Sequence, residues 1–547
     1  MNQNYKRSIL SYIYEVVLLI GTALLFSFAF PGFLSNSGFG IIAFFALIPL
    51  FGVIRKTSFL ATPIYGFLFG FTFYTLFNYW LVTFHPLAIL IVPIIKGGEM
   101  IILFPLLKAA DKWFKRFGFL VQSIIWVAYT YLSQSWFAGY PYGTISSAVY
   151  QFLPFIQIAE FSGIWVITFI MILPQAFLGK YVADQLMGAK RPILDFFREY
   201  KSVVIAYLAI LVFTFTFGFI KIVQWNKTEP DQKWRVATLQ HSADSWKGGY
   251  DTYKRNFNNL RTMSLQALKE NPDMIIWSET AFVPSVYWHT TYKTDERTAD
   301  LVDEFVSFGK SLPVPLLTGN PEGVLDDPTV GPLDENGYWN RKDYNTVIMF
   351  ENGEIKKTYR KQHLVPFTEH FPYEKQLPWL YRLLLANDYN WWEKGYDPVV
   401  FETDQGVRFS TPICFEDVFG YLSAGFVKNG ADVIVNMTND SWSGAVSAQM
   451  QHLALAVFRS VENRKSTVRG TNSGMSGVIL PTGKIVDLMD PFTREWKIYD
   501  VPVYTSDKFT IYTNSVDILA KVAVYLSLAL LAGGGIVQIV KLKRTDD

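Results

Sequence analysis

The sequence has little cysteine, little histidine and little charge. Of its 547 residues, one is cysteine, six are histidine and 18% are charged. A single cysteine excludes an internal disulfide. The histidines form no HExxH motif and there is no CxxC spacing, so we expect no metal site. The chain also lacks a Walker loop and a GxGxxG loop, and we expect no cofactor. A net charge of +2 gives no reason to expect a nucleic-acid partner.

The sequence is rich in long apolar runs: half of its residues are hydrophobic and 17% are aromatic. Apolar runs near 20 residues are candidates for transmembrane helices. We predict a polytopic α-helical membrane protein with eight such helices. The predicted helices are 8–30, 38–54, 60–83, 86–107, 118–137, 152–178, 202–220 and 522–540. They define three parts of the chain: a seven-helix membrane domain at 1–225, a mixed soluble domain at 226–515, and the eighth helix with its tail at 516–547.

Basic residues occur in alternate connections between these helices. The connections 31–37, 84–85 and 138–151 contain no Lys or Arg, whereas the others and both ends of the chain are basic. By the positive-inside rule, both termini are then cytoplasmic. Seven crossings place residues 226–515 on the opposite side of the membrane.

Lys96 and Glu99 lie inside the predicted helix 86–107, and Glu160 lies inside the predicted helix 152–178. Such charges are costly in lipid and usually face the interior of a helix bundle. They can hold helices together or contact a polar lipid headgroup, and we favour the first interpretation. A second unusual segment, 376–395, is apolar and aromatic but too short to span a bilayer. It suits either the membrane interface or a loop helix packed on the soluble domain.

The soluble region alternates strands with helices. Strands are expected at 234–240, 273–277, 314–318, 344–350, 355–359, 398–402, 407–413 and 432–437, and helices at 251–270, 298–311, 418–427 and 447–465. This alternation predicts an α/β domain with a buried sheet, whose active residues should lie at strand ends. The dipeptide Asn352-Gly353 is typical of a hairpin turn.

Three side chains with complementary chemistry follow separate strands: Glu279, Lys361 and Cys414. Cys414 lies between a predicted strand and a predicted helix, where a helix end would lower the thiol pKa. A buried structural thiol is the alternative. A carboxylate can accept the thiol proton, and an ammonium can stabilise a thiolate and an oxyanion. Together the three groups would support acyl transfer through a thioester.

Three stretches, 277–280, 359–369 and 413–416, resemble the Glu-Lys-Cys motifs of the nitrilase superfamily. The form of the second stretch, together with 439–444 and eight membrane helices, is similar to the apolipoprotein N-acyltransferase family. The resemblance implies that the α/β domain is a nitrilase-like αββα sandwich. It implies Glu279 as general base, Lys361 as oxyanion stabiliser and Cys414 as nucleophile.

The resemblance also implies a setting for this triad. Glu369 and Glu416 match acidic positions with supporting roles around the thiol, and Trp246 and Trp442 resemble aromatic positions near a lipid pocket. The implied donor is a membrane phospholipid, phosphatidylethanolamine at sn-1. The implied acceptor is the α-amine of the S-diacylglyceryl cysteine of an apolipoprotein. The implied location is the bacterial inner membrane, with the catalytic domain on the periplasmic side.

Two other functions remain open from the residues alone. One is a membrane-tethered nitrilase-type amidase, which would use water as the acceptor. A single anchor helix would suffice for that enzyme, whereas this chain has eight predicted helices. The other is a transporter or scaffold with a non-catalytic outer domain, which the intramembrane charges would suit. It leaves the combination of Glu279, Lys361 and Cys414 unexplained.

Overall fold

The computed structural model describes residues 9–84, 88–136, 139–333, 339–371, 373–385, 391–505 and 508–546. The chain forms two compact units, Met1–Gln224 with Ser515–Asp547, and Trp225–Asn514. The described α-helices are α1 Ile9–Ser27, α2 Ile48–Lys56, α3 Thr62–Phe77, α4 Leu81–Phe84, α5 Ala88–Phe114, α6 Gly118–Ser135, α7 Leu153–Ile156, α8 Ala159–Ser162, α9 Ile164–Leu186, α10 Ile193–Glu199, α11 Lys201–Lys227, α12 Tyr250–Ala267, α13 Val286–Tyr292, α14 Glu296–Ser311, α15 Pro378–Leu385, α16 Gly420–Lys428, α17 Val446–Asn463, α18 Ile511–Ser515 and α19 Ile518–Asp546.

Six segments among the described residues are long and apolar enough to cross a membrane. They are Ile9–Ser27, Phe59–Phe77, Ala88–Ser135, Ile164–Leu186, Lys201–Lys227 and Ile518–Lys541. One of them, Ala88–Ser135, is 48 residues long and contains both α5 and α6. The protein is therefore polytopic, but eight crossings are not confirmed. The start of the predicted helix 86–107 and part of the connection 84–85 lie outside the described residues.

Two predicted membrane helices are interrupted. The predicted helix 38–54 is a 3₁₀ turn, Gly40–Phe44, followed by the nine-residue helix α2. Nine residues rise about 14 Å, which is less than half of the hydrocarbon core. Proline in the first turn of α2 lacks the N–H group that would bond to a preceding turn, which favours the start of a helix at this point. The predicted helix 152–178 becomes continuous only at Ile164, after Gly163 adopts a φ of +66°.

The charges predicted inside the membrane helices are paired. Lys96 Nζ lies 3.1 Å from Glu99 Oε2 and also contacts Ser133, which joins α5 to α6. Glu160 Oε1 lies 2.8 Å from the Nζ of Lys221, which joins α8 to α11. These contacts favour the interpretation that the charges hold helices together, as expected for intramembrane ionisable groups.

The second unit contains two β-sheets, as the αββα sandwich implied by the resemblance requires, whereas the strand pattern alone predicted a single buried sheet. Its strands are β1 Gln232–Gln240, β2 Met274–Ile276, β3 Leu316–Leu325, β4 Arg341–Glu351, β5 Glu354–Arg360, β6 Trp392–Glu393, β7 Val400–Glu402, β8 Arg408–Ser410, β9 Val433–Thr438, β10 Ser466–Thr471, β11 Gly477–Ile479, β12 Ile485–Val486 and β13 Glu495–Val503. The first sheet has the order β13-β1-β2-β3-β4-β5, with β6 beside β4, and the second has the order β12-β11-β10-β9-β8-β7. Strands β1, β2 and β3 are parallel to one another, as are β8, β9 and β10.

The two sheets pack against each other. The rings of Trp234 on β1 and Phe409 on β8 have centroids 5.2 Å apart. A Cβ atom at Gly470 on β10 would lie 2.9 Å from the Ile276 side chain, so this position admits only glycine without a shift. Helices α12 and α14 cover the outer face of the first sheet through a shared apolar cluster, and α17 contacts β10 of the second.

The hairpin predicted at Asn352-Gly353 is confirmed. It joins β4 to β5, with φ of +52° at Asn352 and +78° at Gly353. Positive φ at both central residues is the geometry that two-residue hairpin loops prefer. This turn sets the register that carries β5 back to Lys361 at its far end.

Candidate active site

Three segments that follow strands meet between the two sheets. Glu279 lies three residues after β2, and Lys361 follows β5 directly, so both extend from the first sheet. Cys414 comes from the second sheet and begins the 3₁₀ turn Cys414–Val418. Lys361 Nζ lies 3.5 Å from Glu279 Oε1, and the charges of Glu279 and Lys361 both act on the Cys414 thiol. The fold thus brings together three groups that are far apart in sequence.

Glu279 is held by the neighbouring strands of the first sheet. Its Oε1 accepts a hydrogen bond of 2.8 Å from Asn345 Nδ2 on β4. Gly319 on β3 allows the backbone of Glu279 and Thr280 to pass close to this strand, because a Cβ at Gly319 would lie 2.3 Å from the backbone nitrogen of Thr280. Burial raises the pKa of Glu279 above its usual value, although the nearby Lys361 ammonium opposes the shift. A carboxylate with a raised pKa is a better proton acceptor.

Lys361 is fully buried and touches two carboxylates. Its Nζ donates to Glu369 Oε1 at 2.8 Å and lies near Glu279. Burial alone would lower the pKa of Lys361, but the charges of Glu369 and Glu279 outweigh burial and raise it. Glu369 is itself fixed, because its Oε2 accepts the backbone N–H of Val365 at 2.8 Å. Lys361 is therefore a permanent positive charge beside the thiol.

Cys414 is half-buried and adopts a φ of +49°. Non-glycine residues seldom adopt this region, and such strain is common at active sites. Burial and the charge of Glu279 raise the thiol pKa well above its usual value, while Lys361 opposes the shift. The expectation of a lowered pKa at a helix end is therefore wrong: the turn has only five residues, and loss of solvation dominates. The thiol needs a base to react.

Glu416 joins the lysine segment to the cysteine segment. Its Oε1 accepts the backbone N–H groups of Gln362 at 2.6 Å and His363 at 2.9 Å. Its Oε2 accepts the N–H of Ile413 at 2.7 Å and the hydroxyl of Tyr359 at 2.8 Å. The side chain is fully buried, and burial raises its pKa to about 7. Glu416 therefore ties the backbone at Gln362 and His363 to the backbone at Ile413.

A second buried network lies on the other side of the cysteine turn. Both ring nitrogens of His452 hydrogen-bond to carboxylates, Nε2 to Asp417 at 2.7 Å and Nδ1 to Asp440 at 3.0 Å. Arg469 pairs with Asp417. Burial would lower the pKa of His452, but the two carboxylates raise it to about 9. A protonated His452 thus joins the cysteine turn to the loop after β9.

The two tryptophans predicted near a lipid pocket lie on neighbouring loops. Trp246 is 62% exposed, and Trp442 is half-buried in the loop after β9. Ser245 Oγ donates to Asn439 Oδ1 at 3.0 Å, which ties the two loops together. Asn472 supports the same junction by donating to Asn439 Oδ1 at 3.0 Å.

Sequence reasoning missed several residues that build the site. Asn345, Tyr359, His452 and Arg469 were not singled out, yet each contacts a carboxylate of the site or of its support. The clearest available signal was His452, which directly precedes the apolar run 453–458, because buried polar groups need partners. Strands β5 and β10 are too polar for Tyr359 or Arg469 to stand out.

These groups can perform nucleophilic catalysis. Glu279 can accept the thiol proton, Cys414 can attack a carbonyl carbon, and Lys361 can stabilise the oxyanion that forms. The fold and this arrangement define a thiol enzyme of the carbon-nitrogen hydrolase type. The sequence profile of that family, described as carbon-nitrogen hydrolase, matches residues 235–507. The profile of the apolipoprotein N-acyltransferase N-terminal domain matches residues 22–177.

Relatives that match nearly the whole chain belong to the same family. The chain is 35% identical to apolipoprotein N-acyltransferase 1 of Treponema denticola, over 96% of this chain and 98% of that protein. It is 33% identical to apolipoprotein N-acyltransferase 1 of Treponema pallidum, over 97% of each chain. A Borreliella burgdorferi apolipoprotein N-acyltransferase is 27% identical over 93% of each chain.

The chain belongs to the apolipoprotein N-acyltransferase family. It is a membrane-embedded acyltransferase with lipid and lipoprotein substrates, and it N-acylates lipoproteins.

Proposed function

We propose that the enzyme works by a ping-pong mechanism through a thioester on Cys414. The observation that carries this proposal is that Glu279 and the Lys361 ammonium, 3.5 Å apart, both lie close enough to the half-buried Cys414 thiol for their charges to shift its pKa. The donor is a membrane phospholipid, phosphatidylethanolamine at its sn-1 ester. The acceptor is the α-amine of the S-diacylglyceryl cysteine at the N-terminus of an apolipoprotein.

In the first half-reaction, Glu279 takes the thiol proton and Cys414 Sγ attacks the sn-1 ester carbonyl. The carbonyl π electrons move to oxygen, and Lys361 stabilises the resulting oxyanion. When the intermediate collapses, the bond between the carbonyl carbon and the glycerol oxygen breaks. The glycerol oxygen takes the proton from Glu279 and leaves as a lysophospholipid, so that an acyl thioester remains on Cys414.

In the second half-reaction, the lipoprotein α-amine attacks the thioester carbonyl. Glu279 accepts a proton from the amine nitrogen, and Lys361 again stabilises the oxyanion. The C–S bond breaks, the amide forms, and the Cys414 thiolate recovers a proton from Glu279. Free enzyme is restored without any external reductant or cofactor.

The remaining predicted residues support this chemistry. Glu369 and Glu416 are positioning residues: the first fixes the Lys361 ammonium, and the second fixes the backbone on both sides of the site. Trp246 and Trp442 stand on adjoining loops and are proposed to contact the acyl chains.

Membrane anchoring suits these substrates. Each acyl chain costs about 0.8 kcal/mol per CH₂ to remove from lipid, so donor and acceptor stay in the bilayer. The thioester must also be shielded from water. Helix α15 has no buried residue, and its Trp379 is 65% exposed. We therefore propose that the segment 376–395, of which 386–390 lie outside the described residues, contacts the membrane interface and excludes water.

A donor assay tests the first half-reaction. Phosphatidylethanolamine with different chains at sn-1 and sn-2 is incubated with the enzyme and an S-diacylglyceryl peptide. We expect a lysophospholipid that keeps only the sn-2 chain, in a 1:1 ratio with peptide that gains the sn-1 chain. Release of free fatty acid without peptide modification would favour the amidase-like reaction with water instead.

The membrane arrangement is also proposed. Counting α5 and α6 separately, the six apolar segments give seven crossings, and the interrupted segment 40–56 supplies the eighth. Both termini then lie in the cytoplasm and residues 226–515 lie in the periplasm, at the bacterial inner membrane. The basic connections between helices support this orientation.

Cysteine labelling tests that orientation. In a Cys414→Ser background, which removes the chain's one cysteine, two single-cysteine variants are compared: Lys269→Cys in the soluble unit and Lys190→Cys in a basic connection. Both positions are exposed. We expect an impermeant maleimide to label Lys269→Cys in spheroplasts and Lys190→Cys only after permeabilisation. The reverse pattern would overturn the topology.

A further inference from the structure

We propose that the membrane unit holds a second lipid site, which binds the phosphate of an anionic phospholipid headgroup. The structure contains a cavity of about 690 Å³ in this unit, within the usual range for ligand sites. We call it the basic cavity. Six of its lining side chains are cationic and two are acidic: Arg55, Lys108, Lys112, Lys115, Arg116 and Lys180, with Asp111 and Glu199.

The basic cavity lies where helices end. Arg55 is in the last turn of α2, Lys112 is in the last turn of α5, and Lys180 is two turns before the end of α9. Lys115 and Arg116 form the turn before α6. These are the positions at which membrane helices reach the level of lipid headgroups.

The carboxylates around the basic cavity are already paired. Asp111 Oδ1 accepts from Arg55 Nη1 at 2.6 Å, and Asp184 Oδ1 accepts from Arg55 Nε at 2.8 Å. Glu199 pairs with Arg191. These carboxylates therefore neutralise arginines, and no ion pair engages Lys112 or Lys115 among the described residues.

Lysine charge remains in excess at the mouth of the cavity. Lys112 and Lys115 are exposed, and within the part of the chain that the structure describes neither has a carboxylate partner. Lys180 is buried, and its Nζ donates to the backbone carbonyl of Lys115 at 2.7 Å. Like charges held around one cavity repel, and a bound phosphate would relieve that repulsion with charge-assisted hydrogen bonds.

The positive-inside rule alone does not explain why these cations cluster around the basic cavity. Positive charges orient a membrane protein when they stand anywhere in a short connection. Here Lys108 is on α5 and donates to the backbone carbonyl of Arg55 at 2.6 Å, while Lys180 is buried on α9. These cations are fixed around a shared cavity, which a topology signal does not need but a binding site does.

The apolar surface beside the cavity points to a lipid rather than free phosphate. Phe59 lines the cavity and is 44% exposed, and Leu60 and Ile64 continue outward at 89% and 70% exposure. Acyl chains attached to a bound headgroup would cover this surface, with a gain that inorganic phosphate cannot have. Basic pockets between membrane helices are suited to anionic headgroups.

Native mass spectrometry tests the site independently of catalysis. The full chain with Cys414→Ala, in a non-ionic detergent, is titrated with phosphatidylglycerol, phosphatidylcholine and inorganic phosphate. The test variant carries Lys112→Gln with Lys115→Gln. The matched control carries Lys190→Gln with Lys201→Gln, which removes the same charge from exposed positions that do not line the cavity.

We expect the test variant to bind phosphatidylglycerol roughly 30-fold more weakly, which converts to about 2 kcal/mol for two charges near a headgroup. The control variant and a charge-preserving Lys112→Arg with Lys115→Arg variant should bind as the parent does. Phosphatidylcholine binding should not change, and millimolar phosphate should not displace the lipid. The proposal would be overturned if the test and control variants lost affinity equally, or if the test variant lost none. It would also be overturned if the arginine variant lost affinity, or if inorganic phosphate bound in place of the lipid.

Discussion

Cys414→Ala should abolish transfer of an acyl chain to an S-diacylglyceryl peptide, with a fall of at least about a thousand-fold in turnover. The reason is that no other thiol exists in the chain, and without Sγ no thioester can form. The measurement is the initial rate of labelled acyl transfer in mixed micelles, followed by chromatography of the peptide.

Two comparisons separate chemistry from folding in this experiment. Ser423→Ala removes a fully buried hydroxyl from α16 and should leave transfer unchanged. Cys414→Ser keeps the size of the side chain and should be as inactive as Cys414→Ala, because a hydroxyl is a far weaker nucleophile at neutral pH. Substantial transfer by either cysteine variant, with an unchanged melting temperature, would remove Cys414 from the role of nucleophile.

Glu279→Gln should slow alkylation of Cys414 by iodoacetamide by about 10²–10⁴-fold, the usual contribution of a general base. Burial raises the thiol pKa more than the charge of Glu279 does, so the thiol stays protonated in this variant and lacks the carboxylate that accepts its proton. In the parent enzyme, the rate should fall as pH is lowered through the raised pKa of Glu279, because protonation removes the base. These rates are measured by quenching the alkylation at set times and determining the alkylated fraction by mass spectrometry.

Glu351 provides a matched control for this substitution. It is 6% exposed, as is Glu279, and burial raises its pKa as well. It lies at the hairpin end of β4, away from Lys361. Glu351→Gln should leave the alkylation rate unchanged. An unaltered rate in Glu279→Gln would show that another group activates the thiol.

The sequence motifs located the chemical groups, because a carboxylate, an ammonium and a thiol at strand ends are visible in a linear pattern. The hairpin at Asn352-Gly353 was equally readable, since its φ angles depend on local residue type. The long-range partners were not. Strand β13 pairs with β1, which is more than two hundred residues away in the sequence, and no local sequence pattern predicts that pairing.

The pKa shifts in the site could also be derived only from the three-dimensional structure. Position at the start of a turn suggested a lowered pKa for Cys414, yet burial and the charge of Glu279 raise it. Burial is a property of the packed sheets and cannot be read from neighbours in sequence. The supporting contacts of Glu416 with the backbone of Gln362 and Ile413 were hidden for the same reason.

The central claim is that Cys414 carries the acyl chain between donor and acceptor. The most direct test is the intact mass of the purified enzyme after incubation with phosphatidylethanolamine, before and after addition of an S-diacylglyceryl peptide. We predict a gain of one acyl chain that is absent from Cys414→Ala and that disappears as the peptide amine gains the same mass. No gain in mass, or a gain that decays to free fatty acid while the peptide stays unmodified, would contradict the account.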